Sequence, residues 1–174
     1  MRNAGLVILI AVVVLPLAVG QTLDRAIEAQ LKRVFPSATS FSAKQSRPVP
    51  HFVAYTGNPG SQTVAGYVFW TTDLEPLERG YDGPIKMLVG VDTKALLTGV
   101  LVTEHHEPYG YFSVDLPPFA RQFVGKDIRA PFKVGADVDA VSRASISINS
   151  ASRAIRNGAR RVARALLTPP ETGK

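Results

Sequence analysis

The sequence predicts an α+β fold: a single domain whose largely antiparallel sheet is flanked by helices, preceded by an N-terminal signal segment. Three observations carry that prediction. A helical apolar period follows the leader, several segments of strand composition fill the middle, and a long helical stripe closes the chain. A run of strands with helices outside it builds an antiparallel sheet, whereas strict strand–helix alternation would build a parallel one. No internal repeat is evident.

The first helix is residues 22–35. Leu23, Ile27 and Leu31 recur every four residues, Val34 and Phe35 extend the apolar side, and Asp24, Arg25, Glu28, Lys32 and Arg33 occupy the opposite face. Thr22 is the candidate cap and Pro36 the stop. Residues 37–50 are polar and Ser-rich, a connector or a weak first strand. Residues 51–55 have strand composition and lead into a Gly-Asn-Pro-Gly-Ser turn, and residues 64–71 are rich in β-branched and aromatic side chains. Residues 85–91 and 96–103 form a hairpin about a tight connection at 92–95. Pro117 and Pro118 suit the first turn of a short helix over 116–124. The last helix runs from about Ser150 to Leu167. Ile155, Ala159, Val162, Ala163 and Leu166 make its inner stripe, Arg153, Arg156, Arg160, Arg161 and Arg164 crowd the rest, and Pro169-Pro170 close it.

At 174 residues and 18.7 kDa the chain has room for one domain with a modest core. Cysteine is absent, which excludes disulfides, thiolate zinc sites, cysteine-ligated clusters and thiol nucleophiles. Arg2, an apolar run over 4–19, and small Ala18-Val19-Gly20 before polar Gln21 form a secretory layout. The run is shorter than the roughly 20 apolar residues that span a bilayer, which favours a cleaved leader over an uncleaved anchor. The chain then divides into a signal segment at 1–20, a helix and connector at 21–50, the main domain at 51–168, and a polar tail at 169–174. A net charge of +6 and a pI near 9.8 would suit nucleic acid, but export removes it from the expected partners.

The segment with the most chemistry is Asp139-Ala140-Val141-Ser142-Arg143-Ala144-Ser145, just upstream of the last helix, with Ser147, Asn149 and Ser150 following. Free backbone N–H groups and the helix dipole could hold a phosphate there. On local chemistry alone, hydroxyls that cap the helix are the simpler reading.

The Asp-x-x-Ser-x-Ala-Ser pattern of residues 139–145 resembles the flavinylation motif of the FMN-binding domain family. Its members include one subunit each of the sodium-translocating NADH:quinone oxidoreductase and the Rnf complex, and the exported domain of NosR-type proteins. The resemblance implies that Ser145 accepts FMN through its phosphate, in a phosphoester made by a dedicated flavin transferase. Asp139 is the motif's acidic residue, and Ser142 and Ala144 are its small positions. The family's usual acceptor is Thr, and its usual Gly is Arg143 here; a Gly would permit positive φ, and an Arg fork suits a phosphate. A second segment is similar to the family's strand–turn–strand core. It comprises Gly80-Tyr81-Asp82-Gly83, the strand beginning Met87-Leu88-Val89, and Glu104-His105-His106-Glu107. His105, Glu107 and Gly110 match a His-x-Glu segment near the flavin, while Pro108 and Tyr109 depart from it.

Competing readings are weaker. Adjacent His105 and His106 on a strand point to opposite faces and share an ion poorly, with His51 distant, so no metal is expected. A hydrolase built on Ser145 or Ser147 lacks a nucleophile elbow. Trp70, Tyr81 and Tyr109 are core aromatics or walls for an isoalloxazine ring. The arginines of the last helix are a solvated face, a dock for an acidic electron-transfer partner, or a contact for anionic lipid. The sequence therefore predicts an exported, periplasmic flavoprotein with covalent FMN on Ser145. It is an electron carrier rather than a stand-alone enzyme, with a flavin transferase and an extracytoplasmic or membrane redox partner. The alternative is a non-redox assembly module that docks through the Arg-rich helix.

Overall fold

The computed structural model describes residues 23–167; the leader and the tail lie outside that range. Five strands form one antiparallel sheet in consecutive order: β1 (Ser40–Phe41), β2 (Phe52–Thr56), β3 (Thr63–Trp70), β4 (Lys86–Asp92) and β5 (Leu97–Glu104). Helix α1 (Arg25–Val34) covers one face, and α4 (Ser145–Val162) covers the other, together with short α2 (Thr71–Leu74) and α3 (Pro117–Arg121). The α+β, single-sheet reading holds. Among the described residues no helix is long and apolar enough to cross a membrane.

Strand β4 shows why helices sit on both faces. Its Met-Leu-Val-Gly-Val run is apolar throughout, and alternate residues point to opposite sides. Met87, Val89 and Val91 join Phe69 of β3 against Ile148, Ala151, Ile155, Ala159 and Val162 of α4. Leu88 points the other way, toward Leu31, Val34 and Phe35 at the end of α1. The hairpin turn is fixed by Asp92, whose Oδ1 accepts the N–H of Lys94 and of Leu96 at 2.8 Å each.

Helix α1 approaches the sheet closely because three strands present glycine beneath it. A Cβ on Gly99 would lie 2.6 Å from the Val34 carbonyl oxygen, one on Gly90 2.8 Å from the same atom, and one on Gly66 2.8 Å from the Phe35 ring. Gly90 and Gly99 are also register partners across β4 and β5. The neighbouring Thr98 hydroxyl donates to the Val34 carbonyl at 2.7 Å, satisfying a group the helix leaves open.

Several boundaries differ from the sequence reading. Asp24 caps α1, its Oδ1 accepting the Ala26 N–H at 2.7 Å; Thr22 lies outside the described range. The weak first strand is real but two residues long, pairing with Ala54 and Tyr55. Thr71 leaves the sheet to start α2, where its hydroxyl donates to the Ile85 carbonyl and accepts the Met87 N–H. Helix α3 is shorter than the 116–124 segment, and a 3₁₀ turn at Gly110–Phe112 has no periodic signal in the sequence. The last helix begins at Ser145 rather than near Ser150, and ends in a π-helical turn over Ala163–Leu167. Ile148 is fully buried in its first turns, and that apolar contact outweighs the poor helix propensity of the Ser/Asn run.

The glycine channel yields a stability prediction. Gly99→Ala forces backbone rather than a flexible side chain to move, so it should lower stability by about 1–3 kcal/mol, the usual range for overpacking. Thermal unfolding checks this, and an unchanged melting temperature would contradict the packing described.

Candidate functional site

The start of α4 is an open helix end. Arg143 has φ +67°, the left-handed region that costs an L-residue about 1–2 kcal/mol. Ala144 at the N-cap is buried and offers no side-chain acceptor. The Ile148 N–H is the first to reach a helical acceptor, the Ala144 carbonyl at 3.0 Å. The N–H groups of Ser145, Ile146 and Ser147 therefore have no helical partner, and they concentrate the positive end of the helix dipole. The Ser145 side chain is exposed, and its hydroxyl makes no hydrogen bond to a described residue. Arg143 is also exposed and forms no ion pair among the described residues. The positive φ that the family's Gly would supply is thus present with Arg in its place.

Behind this turn lies a buried carboxylate. Glu107 is 6% exposed and receives three donors: the N–H of Tyr81 at 2.9 Å, the N–H of Asp82 at 3.0 Å, and the Ser147 hydroxyl. Burial pushes the Glu107 carboxyl up, but the Ser147 hydroxyl and the two backbone donors outweigh it and hold it below the ordinary glutamate range. Gly80 makes the approach possible, because a Cβ there would fall 2.3 Å from Oε1 of Glu107. His105 supports the same segment. Its Nδ1 accepts the Glu107 N–H at 3.0 Å and its Nε2 donates to Oδ1 of Asp115 at 2.7 Å, which assigns the proton to Nε2. A Cβ on Gly110 would meet the His105 ring at 2.1 Å, so that glycine is required by packing.

These parts surround a cleft of about 280 Å³, lined by Tyr81, Pro108, Tyr109, Arg143, Ser145, Ile146 and Ser147. Tyr81 is 70% exposed and Ile146 55%, an unusual amount of open apolar surface around one small concavity. Of the residues singled out from the sequence, Ser145 and Arg143 line the cleft, Ala144 caps the helix beside them, and Glu107 and His105 stand behind. Asp139 and Ser142 are exposed and outside the lining; the Asp139 N–H is held by Oε1 of Gln122 at 2.8 Å. Trp70 packs with the α1 layer, 5.1 Å from the Lys86 ammonium, and is no part of the site. His51 is buried against Tyr67 with Nδ1 2.7 Å from the Val49 carbonyl. Tyr81 and Tyr109, read from the sequence as core aromatics or walls for a ring, both line the cleft, whereas the sequence gives no sign of Ile146, which follows Ser145 inside a helix.

Wider hollows of about 720 and 690 Å³ lie at the far end of α4, among Arg160, Arg161 and Arg164. Neither is lined by a serine or by residues of the 139–145 segment, so residue chemistry rather than size marks the site. The arginines of α4 are largely engaged. Arg153 forks onto Glu78 with its shortest contact at 2.7 Å, and Arg161 meets Glu75 at 2.6 Å. Arg156 donates to the Pro131 carbonyl, and Arg160 to the carbonyls of Ile128, Arg129 and Ala130.

Fold and site together define an α+β domain with an exposed serine at an uncapped helix start. Residues 80–160 match the model of the FMN-binding domain family. The matched range contains the whole site, from the Gly80 turn to α4. A curated relative is the G-type subunit of the ion-translocating oxidoreductase complex of Photorhabdus laumondii subsp. laumondii, 35% identical over 102 residues. The match covers 53% of this chain and 47% of the relative, so the chain spans about half the length of that protein.

Glu107 generates a pH prediction. Its folded-state value lies below the unfolded one, about 4.3, so its stabilisation is full above that pH and is lost as pH falls through the lower, folded-state value. Glu107→Gln should cost about 2 kcal/mol at pH 7, and the gap to wild type should narrow below about pH 4. Chemical denaturation across that range checks this; a gap independent of pH would refute it.

Proposed function

We propose that this protein is an exported electron carrier that holds FMN covalently through a phosphoester to Ser145. The observation that carries the reading is an exposed Ser145 hydroxyl, unbonded among the described residues, on an uncapped helix start beside a tyrosine-walled cleft. The helix N–H groups and Arg143 suit a phosphate, and Tyr81, Tyr109 and Ile146 offer apolar surface to a flat ring. The residues present therefore fit the group. When bound, FMN supplies one- and two-electron redox chemistry that no side chain of this cysteine-free chain can. The chain's part is to tether the phosphate, balance its charge with Arg143 and the helix end, and cover one face of the ring.

Attachment joins the Ser145 Oγ to phosphorus. The hydroxyl loses its proton, and an activated flavin phosphate, held by a flavin transferase, loses its leaving group. A covalent tether suits a protein outside the cytoplasm, where released FMN would be diluted away. The leader read over residues 4–19 supports a periplasmic location, soluble or anchored. The FMN-binding unit is read as residues 51–168, with the helix and connector of 21–50 preceding it. The relative's name, which places it in an ion-translocating oxidoreductase complex, supports a membrane-bound electron-transfer partner. Docking through the Arg-rich helix is the lesser reading, since four of its five arginines already bind acceptors elsewhere in the fold.

Intact mass of the denatured protein, produced with and without a flavin transferase, tests the reading. The expected result is an increment of one FMN less one water that needs both the transferase and Ser145, and disappears in Ser145→Ala. No increment in any sample would remove covalent flavin.

A further inference from the structure

Two hydroxyls of one helical turn line the cleft, Ser145 and Ser147. Both are serines, two residues apart, yet their surroundings are opposite. Ser145 is exposed and its hydroxyl makes no hydrogen bond among the described residues, whereas Ser147 is 3% exposed and donates to the Glu107 carboxylate. A hydroxyl bonded to a carboxylate is in general the activated one. Here the carboxylate is shared among three donors, two of them backbone N–H groups that fix it in place. Those donors also keep it below the ordinary glutamate range, which makes it a weak base. It holds the Ser147 proton without removing it.

We propose that Glu107 is the specificity-determining residue of the modification: by binding Ser147 it withholds that hydroxyl and leaves Ser145 as the acceptor of the turn. The proposal rests on the reading of Ser145 as the flavin acceptor. Glu107 acts through Ser147 and the Gly80 turn, so it is a positioning residue rather than a catalytic one. It presents the first turn of α4 in a fixed register, with N1 outward and N3 inward. The bond made is the same in either case, serine Oγ to phosphorus with loss of the hydroxyl proton and the donor's leaving group. Glu107 decides only which oxygen is available.

The experiment is site mapping in the full-length chain co-produced with a flavin transferase. Cleavage after Arg143 and Arg153 releases residues 144–153, which hold both serines, and fragmentation reads the ratio of Ser147-linked to Ser145-linked flavin. In wild type the linkage is on Ser145. In Glu107→Ala and the milder Glu107→Gln, the ratio should rise about tenfold or more, the factor one hydrogen bond to a charged group is worth. A purely structural role for Glu107 would lower total yield without moving the ratio. An unmoved ratio in folded Glu107 variants overturns the proposal. If neither variant folds, Ser145→Ala decides: with Glu107 in place Ser147 stays unloaded, and loading of Ser147 there at wild-type yield overturns it. An unloaded wild type is the failure of the flavin reading itself, whereas a wild type loaded on Ser145 with an unmoved ratio is the failure of this proposal alone.

Discussion

A carboxylate taken out of water is tolerated only where donors replace the water it loses, and Glu107 is where this domain meets that constraint. Its three donors come from the turn before β4 and from the first turn of α4, while its own segment follows β5. One side chain therefore ties together three pieces of chain that are far apart in sequence. Remove the carboxylate and the Gly80 turn loses its acceptors, Ser147 loses its anchor, and the register of the helix start is no longer fixed. The exposed position of Ser145 is a consequence of that register. So is the cleft, since Tyr81 belongs to the turn Glu107 holds and Ile146 to the turn of helix it fixes.

The sheet supplies the platform on which this happens. Apolar burial on both faces of β4 clamps the sheet between α1 and α4, and small residues set the distances. Gly90 and Gly99 admit the end of α1, and Gly158 admits the Phe69 ring under α4. The arginines of α4 add a rim of contacts to Glu75, Glu78 and the carbonyls of 128–131. These hold the helix along its length. Its N-terminal end stays uncapped.

Much of this is legible in the sequence because it is local. Strand composition locates β2 to β5, and the apolar period locates α1 and α4, since each depends on neighbours two to four residues away. The Asp-x-x-Ser-x-Ala-Ser segment is legible as a pattern of residue types, and Arg143 adopts the positive φ that a Gly there would permit. What cannot be read is non-local. Ser147 and Ser150 look like caps in sequence, yet Ser147 is buried by a partner 40 residues away. That contact, together with the burial of Ile148, is why α4 starts at Ser145. The arginines look solvated by composition alone; Arg160 becomes structural only because the loop of 128–130 folds back beneath it with three carbonyls facing the guanidinium. Tyr109 takes its place in the cleft through the 3₁₀ turn after it, which no periodicity announces.

The account stands on a phosphate esterified to the protein, and phosphorus NMR of the intact, loaded chain tests that most directly. A flavin phosphate held as a monoester keeps a second ionisation near pH 6, about the value for phosphoserine, and its resonance moves as that proton is lost. A diester between flavin and Ser145 has no such proton. The account predicts one phosphorus resonance whose position is constant between about pH 5 and pH 8, on either side of that ionisation. A resonance that titrates through about pH 6 would contradict it, leaving FMN bound without the bond to Ser145.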